Sequence, residues 1–267
     1  MYIKNNNFSL KNKNILLIGC NGVLGNAYAN YLNGRCNKLI LADIDFSFTE
    51  TMTSRDKTEI VTKKTDVGSE KKIDNLFEMI EKKCDLHGVI YNAAVTSEFL
   101  NKQSKGDPFP DFEDYPLDLF NYTLKINLVG CFLVMKKCSK IFNKQKYGSL
   151  INVSSIYSLV APDHRVYNDE EFNTFPGYAA SKSGMLGLTK WASTLWAENG
   201  VRINSVSPGG IYNNHSDTFK KKYELKTPMK RMGNPSDLLG MIHYLLSDAS
   251  AYVTGQNFVV DGGFTVW

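Results

Sequence analysis

Short apolar runs alternate with longer stretches of helical spacing along the whole chain. Asn14–Ile18 is a compact run of Ile and Leu, and Val23–Asn33 after it reads as a helix. Lys38–Ala42 predicts a second strand and Ile60–Val67 a third. In Ser69–Lys83 the apolar residues Ile73, Leu76, Phe77 and Ile80 are three and four apart, which puts them on one helical face. Further strands are predicted over His87–Ala93, Ser149–Ser155, Val201–Val206 and Asn257–Val260, and helices over Asp118–Phe142, Tyr178–Glu198 and Ser236–Ser247. Strands apolar on both faces, separated by helices, predict an α/β fold: a doubly wound parallel sheet flanked by helices on both faces. No repeat, linker or composition break divides the chain, so one domain over residues 1–267 is expected. Thr96–Tyr115, Ala161–Pro176 and Ile211–Gly233 read as long loops after strand ends, where open α/β sheets bind ligands.

Composition narrows the function classes. The 267 residues are 43% hydrophobic and 22% charged, as in an ordinary globular domain. The net charge of +4 is spread along the chain with no basic stripe, so no nucleic-acid partner is expected. Cys20, Cys36, Cys84, Cys131 and Cys138 have no disulfide-framework or metal-ligand spacing, which predicts free thiols in a reducing compartment and no metal. Met1–Lys13 is polar, and the longest apolar run, Ile126–Met135, is about half of what spans a bilayer. A cytoplasmic protein with no membrane partner is the expectation.

The first strand runs into Gly19-Cys-Asn21-Gly22-Val23-Leu24-Gly25 and then a helix. Glycines at such a turn let the backbone approach a pyrophosphate, while the helix N-terminus offers N–H groups and partial positive charge. Asp43 closes the second strand, eighteen residues past Gly25, where a carboxylate can accept hydrogen bonds from both ribose hydroxyls of a dinucleotide. It would repel a 2′-phosphate, and no Arg or Lys stands in the glycine turn or just after Asp43. NAD is therefore expected over NADP; the other reading of Asp43 is a turn cap. Asp66-Val67 and Asn92-Ala93-Ala94 end the third and fourth predicted strands and could line the same cofactor, although Asp and Asn also simply begin turns.

Tyr178-Ala-Ala-Ser-Lys182 carries the chemistry. Residues four apart share a helix face, so the ammonium lies close to the phenol. A tyrosine pKa near ~10 must fall by about three units, roughly 4 kcal/mol of differential stabilisation, before the phenol serves as a base at neutral pH. Tyr178 could then exchange a proton with a substrate hydroxyl as hydride moves to or from a nicotinamide. Ser154-Ser155 end the fifth predicted strand, where a hydroxyl could hold the substrate oxygen. Asn127, inside the long helix, could break its regularity and hold a water in a proton relay to the lysine; the alternative is a solvent-facing polar residue.

Assembled in this order, the motifs resemble those of the short-chain dehydrogenase/reductase superfamily in its single-domain branch. The likeness runs through the glycine turn, Asp66, Asn92-Ala93-Ala94, Asn127, Ser155, Tyr178/Lys182, Pro208-Gly209, and Thr254-Gly255-Gln256 with Val260-Asp261-Gly262-Gly263. It implies a Rossmann-like sheet of about seven strands, a Ser155–Tyr178–Lys182 triad assisted by Asn127, and Lys182 also on the nicotinamide ribose. It extends the cofactor set to Pro208, Gly209 and Ile211, and implies a homodimer or homotetramer formed through the long helices.

Three departures stand out. The glycine spacing is that of the longer, nucleotide-sugar-modifying branch, with Ile18 and Val23 where the single-domain branch usually has Thr and Gly. Asn213 stands where a Thr often meets the carboxamide. Ser155 and Tyr178 are further apart than is usual. Tyr167 lies thirteen residues after Ser154, nearer the customary interval, but Glu171 stands where its lysine would be, so Tyr167 is rejected as catalytic. The extra segment, Asp163–Pro176, is expected to wall the substrate pocket, the bland alternative being a solvated loop.

The insertion resembles that of bacterial members in surface-glycan and nonulosonate pathways, which implies a sugar-like or nucleotide-sugar substrate. Tyr157, His164, Arg165 and Asn213 are the candidate partners for its hydroxyls. Two alternatives stay open. One is 3-oxoacyl carrier-protein reduction, which usually employs NADPH and so sits poorly with Asp43. The other is a non-catalytic dinucleotide-binding protein.

Overall fold

A computed structural model describes residues 7–47, 52–97, 99–100, 110–167 and 173–267. Seven strands form one sheet: β1 (Asn14–Ile18), β2 (Lys38–Asp43), β3 (Glu59–Lys64), β4 (Gly88–Tyr91), β5 (Gly148–Val153), β6 (Val201–Pro208) and β7 (Asn257–Val260). Their order is β3-β2-β1-β4-β5-β6-β7, and every pairing is parallel. The chain leaves β1 in one direction and returns to its other side at β4, so a crevice opens at the C-terminal ends of this pair.

Alternation along each strand builds two cores. Leu16 and Ile18 of β1 face one layer with Val89, Tyr91, Leu150 and Ile203. That layer is closed by α2 (Glu70–Lys83), α4 (Gly130–Gln145) and α5 (Pro176–Trp196), through residues such as Phe77, Cys138 and Met185. Ile15 and Leu17 face the other layer, with Leu39, Leu41, Ile90 and Ile151, under α1 (Val23–Leu32) and α7 (Leu239–Leu246). Burying each such side chain contributes about 1.5–3 kcal/mol, which is why the central strands carry so few polar residues. Among the polar ones, Asn152 donates to Thr189 at 2.9 Å, and Asn204 to the Val253 carbonyl at 2.9 Å.

The expected long helix is three pieces in series: α3 (Leu117–Leu124), a π-helical turn at Lys125–Val129, and α4. The run Leu117–Gln145 is 29 residues with a mean hydropathy of 1.3 in its most apolar window, so by length and composition it could cross a bilayer. Here it is a core helix of the sheet, with Cys131, Val134, Cys138 and Phe142 buried.

Several predicted boundaries move. β3 stops at Lys64 instead of Val67: one further ladder bond, Thr65 N–H to the Asp43 carbonyl at 2.7 Å, continues it, and the chain then turns as Asp66 accepts from Gly68 N–H at 2.8 Å. β4 and β5 end before Asn92 and Ser154, each continued by one ladder bond, Asn92 N–H to Ile18 O and Ser154 N–H to Val206 O. The Ile211–Gly233 stretch, read as loop, contains α6 (Asp217–Lys226), capped by Ser216 accepting from Phe219 N–H at 3.0 Å. Parts of the expected Thr96–Tyr115 loop and of the Asp163–Pro176 insertion lie outside the described residues.

Candidate active site

The turn after β1 and the turn after β4 touch. Gly19 adopts φ +82°, and a Cβ there would lie 2.4 Å from Ala93 N, so only glycine fits. Asn92 Nδ2 ties the two turns by donating to Gly19 O at 2.8 Å. Gly25 brings α1 down onto this turn, its would-be Cβ 2.0 Å from Gly19 O. Gly22 caps α1 with no side-chain hydrogen bond, and a Cβ there would meet nothing within 4 Å. The start of α1 is thus left open to an anion.

Asp43, at the end of β2, accepts from Asn21 N–H at 2.8 Å and Ile44 N–H at 2.7 Å. Burial raises its carboxyl above the usual range, against the pull of those backbone bonds. Asn21 Nδ2 reaches the neighbouring Asp45 at 3.3 Å. Two carboxylates therefore face the glycine turn.

On the far side of the crevice, Tyr178 and Lys182 stand on the first turns of α5, which starts at Pro176, the residue type suited to a helix's first position. The Lys182 ammonium lies 5.5 Å from the Tyr178 ring centroid. It is buried (2% exposed) and donates to the Val153 carbonyl at 2.7 Å. Burial pulls its pKa down to about 8. Ser155 follows β5 and accepts from Tyr157 N–H at 3.2 Å, which leaves its own hydroxyl proton to donate. Ser154 instead donates to the Lys182 carbonyl at 3.0 Å and holds α5 against the strand end.

Asn127 lies in the π turn, fully buried, and the helix does lose its regularity there. The Tyr91 hydroxyl donates to the Ile126 carbonyl of this turn at 2.6 Å. The Asn127 side chain is committed: Oδ1 accepts from Val95 N–H at 2.7 Å, and Nδ2 donates to Val95 O at 3.2 Å and Ser181 Oγ at 3.1 Å. Both amide hydrogens are used, so the expected relay water is not held by Nδ2. The side chain joins the post-β4 loop to the helix that carries Lys182.

Gly19, Asn21, Gly22, Asp43, Asn92, Ser155, Tyr178 and Lys182 line one cavity of about 740 Å³ at the C-terminal ends of the strands, together with Asp66, Val67, Ala94, Pro208, Gly209, Ile211, Tyr157 and Asn213, whereas Gly25 and Asn127 stand behind its wall. A larger recess of about 1020 Å³ opens at the opposite ends of the strands, around Lys13, His87 and Tyr147. None of the sequence-derived site residues lines it, and Lys13 there is already paired with Asp248 at 2.7 Å. The sequence-derived residues gather at the smaller cavity.

Two substrate candidates fall outside it. His164 and Arg165 are exposed on a short 3-10 turn, and Arg165 folds back onto Asp163 at 2.8 Å, which Lys226 also contacts. The insertion reaches the cavity through Tyr167, which the sequence rejects as catalytic and gives no other role, and through Thr174, which it does not single out. His215, Phe219 and Tyr223 of the α6 region line it as well. The Tyr223 hydroxyl accepts from Gly210 N–H, and its ring stacks on Phe264 at 4.9 Å, so the C-terminus backs the pocket wall. Among the described residues no cluster of three or more His, Cys, Asp and Glu side chains could hold a metal.

Comparison with known proteins agrees with this geometry. The family model described as Enoyl-(Acyl carrier protein) reductase matches residues 21–265. A short-chain dehydrogenase from Leptospira borgpetersenii, solved with bound NAD+, is 32% identical with a TM-score of 0.86, covering 100% of this chain and 98% of that one. Post-translational flagellin modification protein A of Campylobacter coli is 28% identical over 96% of this chain and 99% of its own length. A 3-oxoacyl-[acyl-carrier-protein] reductase of Synechocystis is 30% identical over 78% of this chain and 77% of its own. The likeness supports a nicotinamide dinucleotide in the crevice and a small-molecule substrate beside it. With a match of this extent over a sheet and a cavity of this form, the chain belongs to the short-chain dehydrogenase/reductase family and is an oxidoreductase.

Proposed function

We propose that this oxidoreductase uses NAD(H) to interconvert a secondary alcohol and a ketone on a polar, sugar-like substrate in the cytoplasm. The observation that carries the reading is the meeting of Tyr178, Lys182 and Ser155 in the cavity that the glycine turn and Asp43 also line. The turn suits a dinucleotide: Gly22 offers open space beside the unpaired N–H groups of α1. Gly19, Asn21 to Gly25 and Asp43 would hold the adenosine half and the phosphates. Asp66, Val67 and Asn92 to Ala94 would line the middle, with Lys182 and Pro208 to Ile211 near the nicotinamide. When bound, the nicotinamide would supply the acceptor or donor of hydride.

The protein's own residues handle the proton. In oxidation the Tyr178 phenolate takes the substrate O–H proton, while Ser155 donates a hydrogen bond to the same oxygen; in reduction Tyr178 returns the proton. The Lys182 ammonium, 5.5 Å from the Tyr178 ring centroid, favours the phenolate and supplies part of the roughly 4 kcal/mol needed to bring a tyrosine near neutrality. Lys182, with a pKa of about 8, is still the cation that does this at pH 7. Asn127 is a positioning residue.

Cofactor choice is the accessible test. Asp43 and Asp45 face the ribose side, and the one cation among the described lining residues is Lys182, on the catalytic side. A 2′-phosphate would meet two carboxylates with no counter-charge. Fluorescence titration is expected to give at least tenfold tighter binding of NADH than NADPH, with the ratio collapsing in Asp43→Ser. Equal or tighter NADPH binding by the wild type would overturn the NAD assignment and favour the 3-oxoacyl carrier-protein reductase reading. Oxidation of hydrophobic alcohols alone would remove the sugar-like substrate.

A further inference from the structure

The insertion between Ser155 and Tyr178 brings two hydroxyl-bearing side chains to the catalytic cavity, Tyr167 and Thr174. Tyr167 is buried and its phenol oxygen lies 2.7 Å from that of Tyr157, which sits two residues past Ser155 in the 3-10 turn that Ser155 caps. A phenol oxygen both donates and accepts, so such a pair can take up a further hydroxyl without rearranging.

Thr174 is only 8% exposed, and its hydroxyl has no hydrogen-bond partner. Buried hydroxyls are nearly always paired, and an unpaired one carries a desolvation cost that asks for a reason. The backbone around it is fixed: Ser97 Oγ donates to the Asn173 carbonyl at 2.8 Å, and Thr174 N–H donates to Asn173 Oδ1 at 2.7 Å. Phe175 beside it is buried and packs on the Tyr178 ring at 5.7 Å. Thr174 is therefore held at a set place relative to the catalytic tyrosine four residues on. Rotation about χ1 exchanges its methyl and hydroxyl, which lets an incoming group recruit the hydroxyl.

We infer that Thr174 and the Tyr157–Tyr167 pair form a subsite for a second, neutral hydroxyl of the substrate, next to the carbon that reacts. The substrate class is a polyol or neutral sugar carrying adjacent hydroxyls. The described residues of this part of the cavity carry no charge besides Lys182, so no built clamp for a carboxylate or phosphate stands beside the reacting carbon. The inference rests on the oxidoreductase reading of Tyr178 and deepens it. It also gives Tyr167, unsuited to catalysis without a lysine, a task in specificity.

The experiment compares NAD+-linked oxidation of D-arabinitol, sorbitol and L-fucose with that of 2-butanol and cyclohexanol, each as kcat/KM. Wild type, Thr174→Val, Tyr167→Phe, Arg165→Ala and Tyr178→Phe are measured in parallel. The expected result is a polyol or sugar preferred by the wild type. Its advantage over the monohydroxy alcohols falls tenfold to a hundredfold in Thr174→Val and Tyr167→Phe, mostly through KM. Arg165→Ala, outside the cavity, keeps that ratio within twofold. Thr174→Val is near-isosteric and removes an unpaired hydroxyl, so its thermal midpoint should not fall. An unchanged ratio in both variants, or a wild type that prefers the monohydroxy alcohols, overturns the subsite while leaving the Tyr178 chemistry standing. A wild type that oxidises nothing in the panel, or a Tyr178→Phe variant as active as wild type, overturns the oxidoreductase reading itself and the subsite with it.

Discussion

Lys182 carries a charge in a place that disfavours it. Its pKa falls from 10.5 to about 8 through burial, a drop worth about 3 kcal/mol between the two protonation states. Between those values the unfolded chain holds a proton that the folded chain has lost, so this residue's contribution to stability rises with pH from about 8 towards 10.5. Below pH 8 the full cost is present. Without cofactor, Lys182→Met is therefore expected to be more stable than wild type at pH 7 by up to about 3 kcal/mol, and inactive. The gap should close as pH rises past 8, as read by urea melts at several pH values; a gap that widens would refute the assignment. The meeting of Tyr178, Lys182 and Ser155 in one cavity was legible because helix spacing and strand ends fix where such side chains point. His164 and Arg165 were misread because a turn has no period: the ion pair with Asp163 directs Arg165 outward. Thr174 and Tyr167 carry no motif, and only the folded insertion brings them to the cavity.

At the scale of elements, the glycine turn divides its labour. A Cβ at Gly25 would lie 2.0 Å from a backbone oxygen, whereas one at Gly22 would meet nothing within 4 Å. Gly25→Ala should thus lift α1 from the sheet and destabilise the protein by about 2–4 kcal/mol. Gly22→Ala should cost no more than about 1 kcal/mol as a changed helix cap, yet weaken NADH binding at least tenfold by standing in the phosphate path. Urea melts and NADH fluorescence on the two variants separate these roles; normal NADH binding by Gly22→Ala would place the phosphates elsewhere. β1 and β7 matched their predicted spans because their apolar runs have sharp ends. β3 was overextended, since an edge strand with half its residues exposed shows no clear end. α6 was missed because its face towards the core holds two buried aromatics, Phe219 and Tyr223, amid three consecutive lysines. A break in helix regularity was anticipated at Asn127, and it takes the form of a π turn whose amide joins Val95 to Ser181.

For the molecule as a whole, the doubly wound sheet was legible from the alternation of strand and helix alone, while assembly is a matter of surface. α4 and α5 bury one face against the sheet, and the chain leaves Phe132, Trp191 and Leu195 of these helices, with Val129 just before α4, exposed. Such apolar side chains on paired long helices suit a second copy of the chain. Light scattering is expected to give a dimer or tetramer of the 30.0 kDa chain, and Trp191→Glu to shift it towards monomer; a monomeric wild type would contradict this. The central claim, however, is that one phenol moves the substrate proton. It is tested most directly by kcat for NAD+-linked alcohol oxidation in Tyr178→Phe, a variant shown to be folded by circular dichroism. The account predicts a fall of about 10²–10⁴-fold, and a rate equal to that of wild type would contradict it.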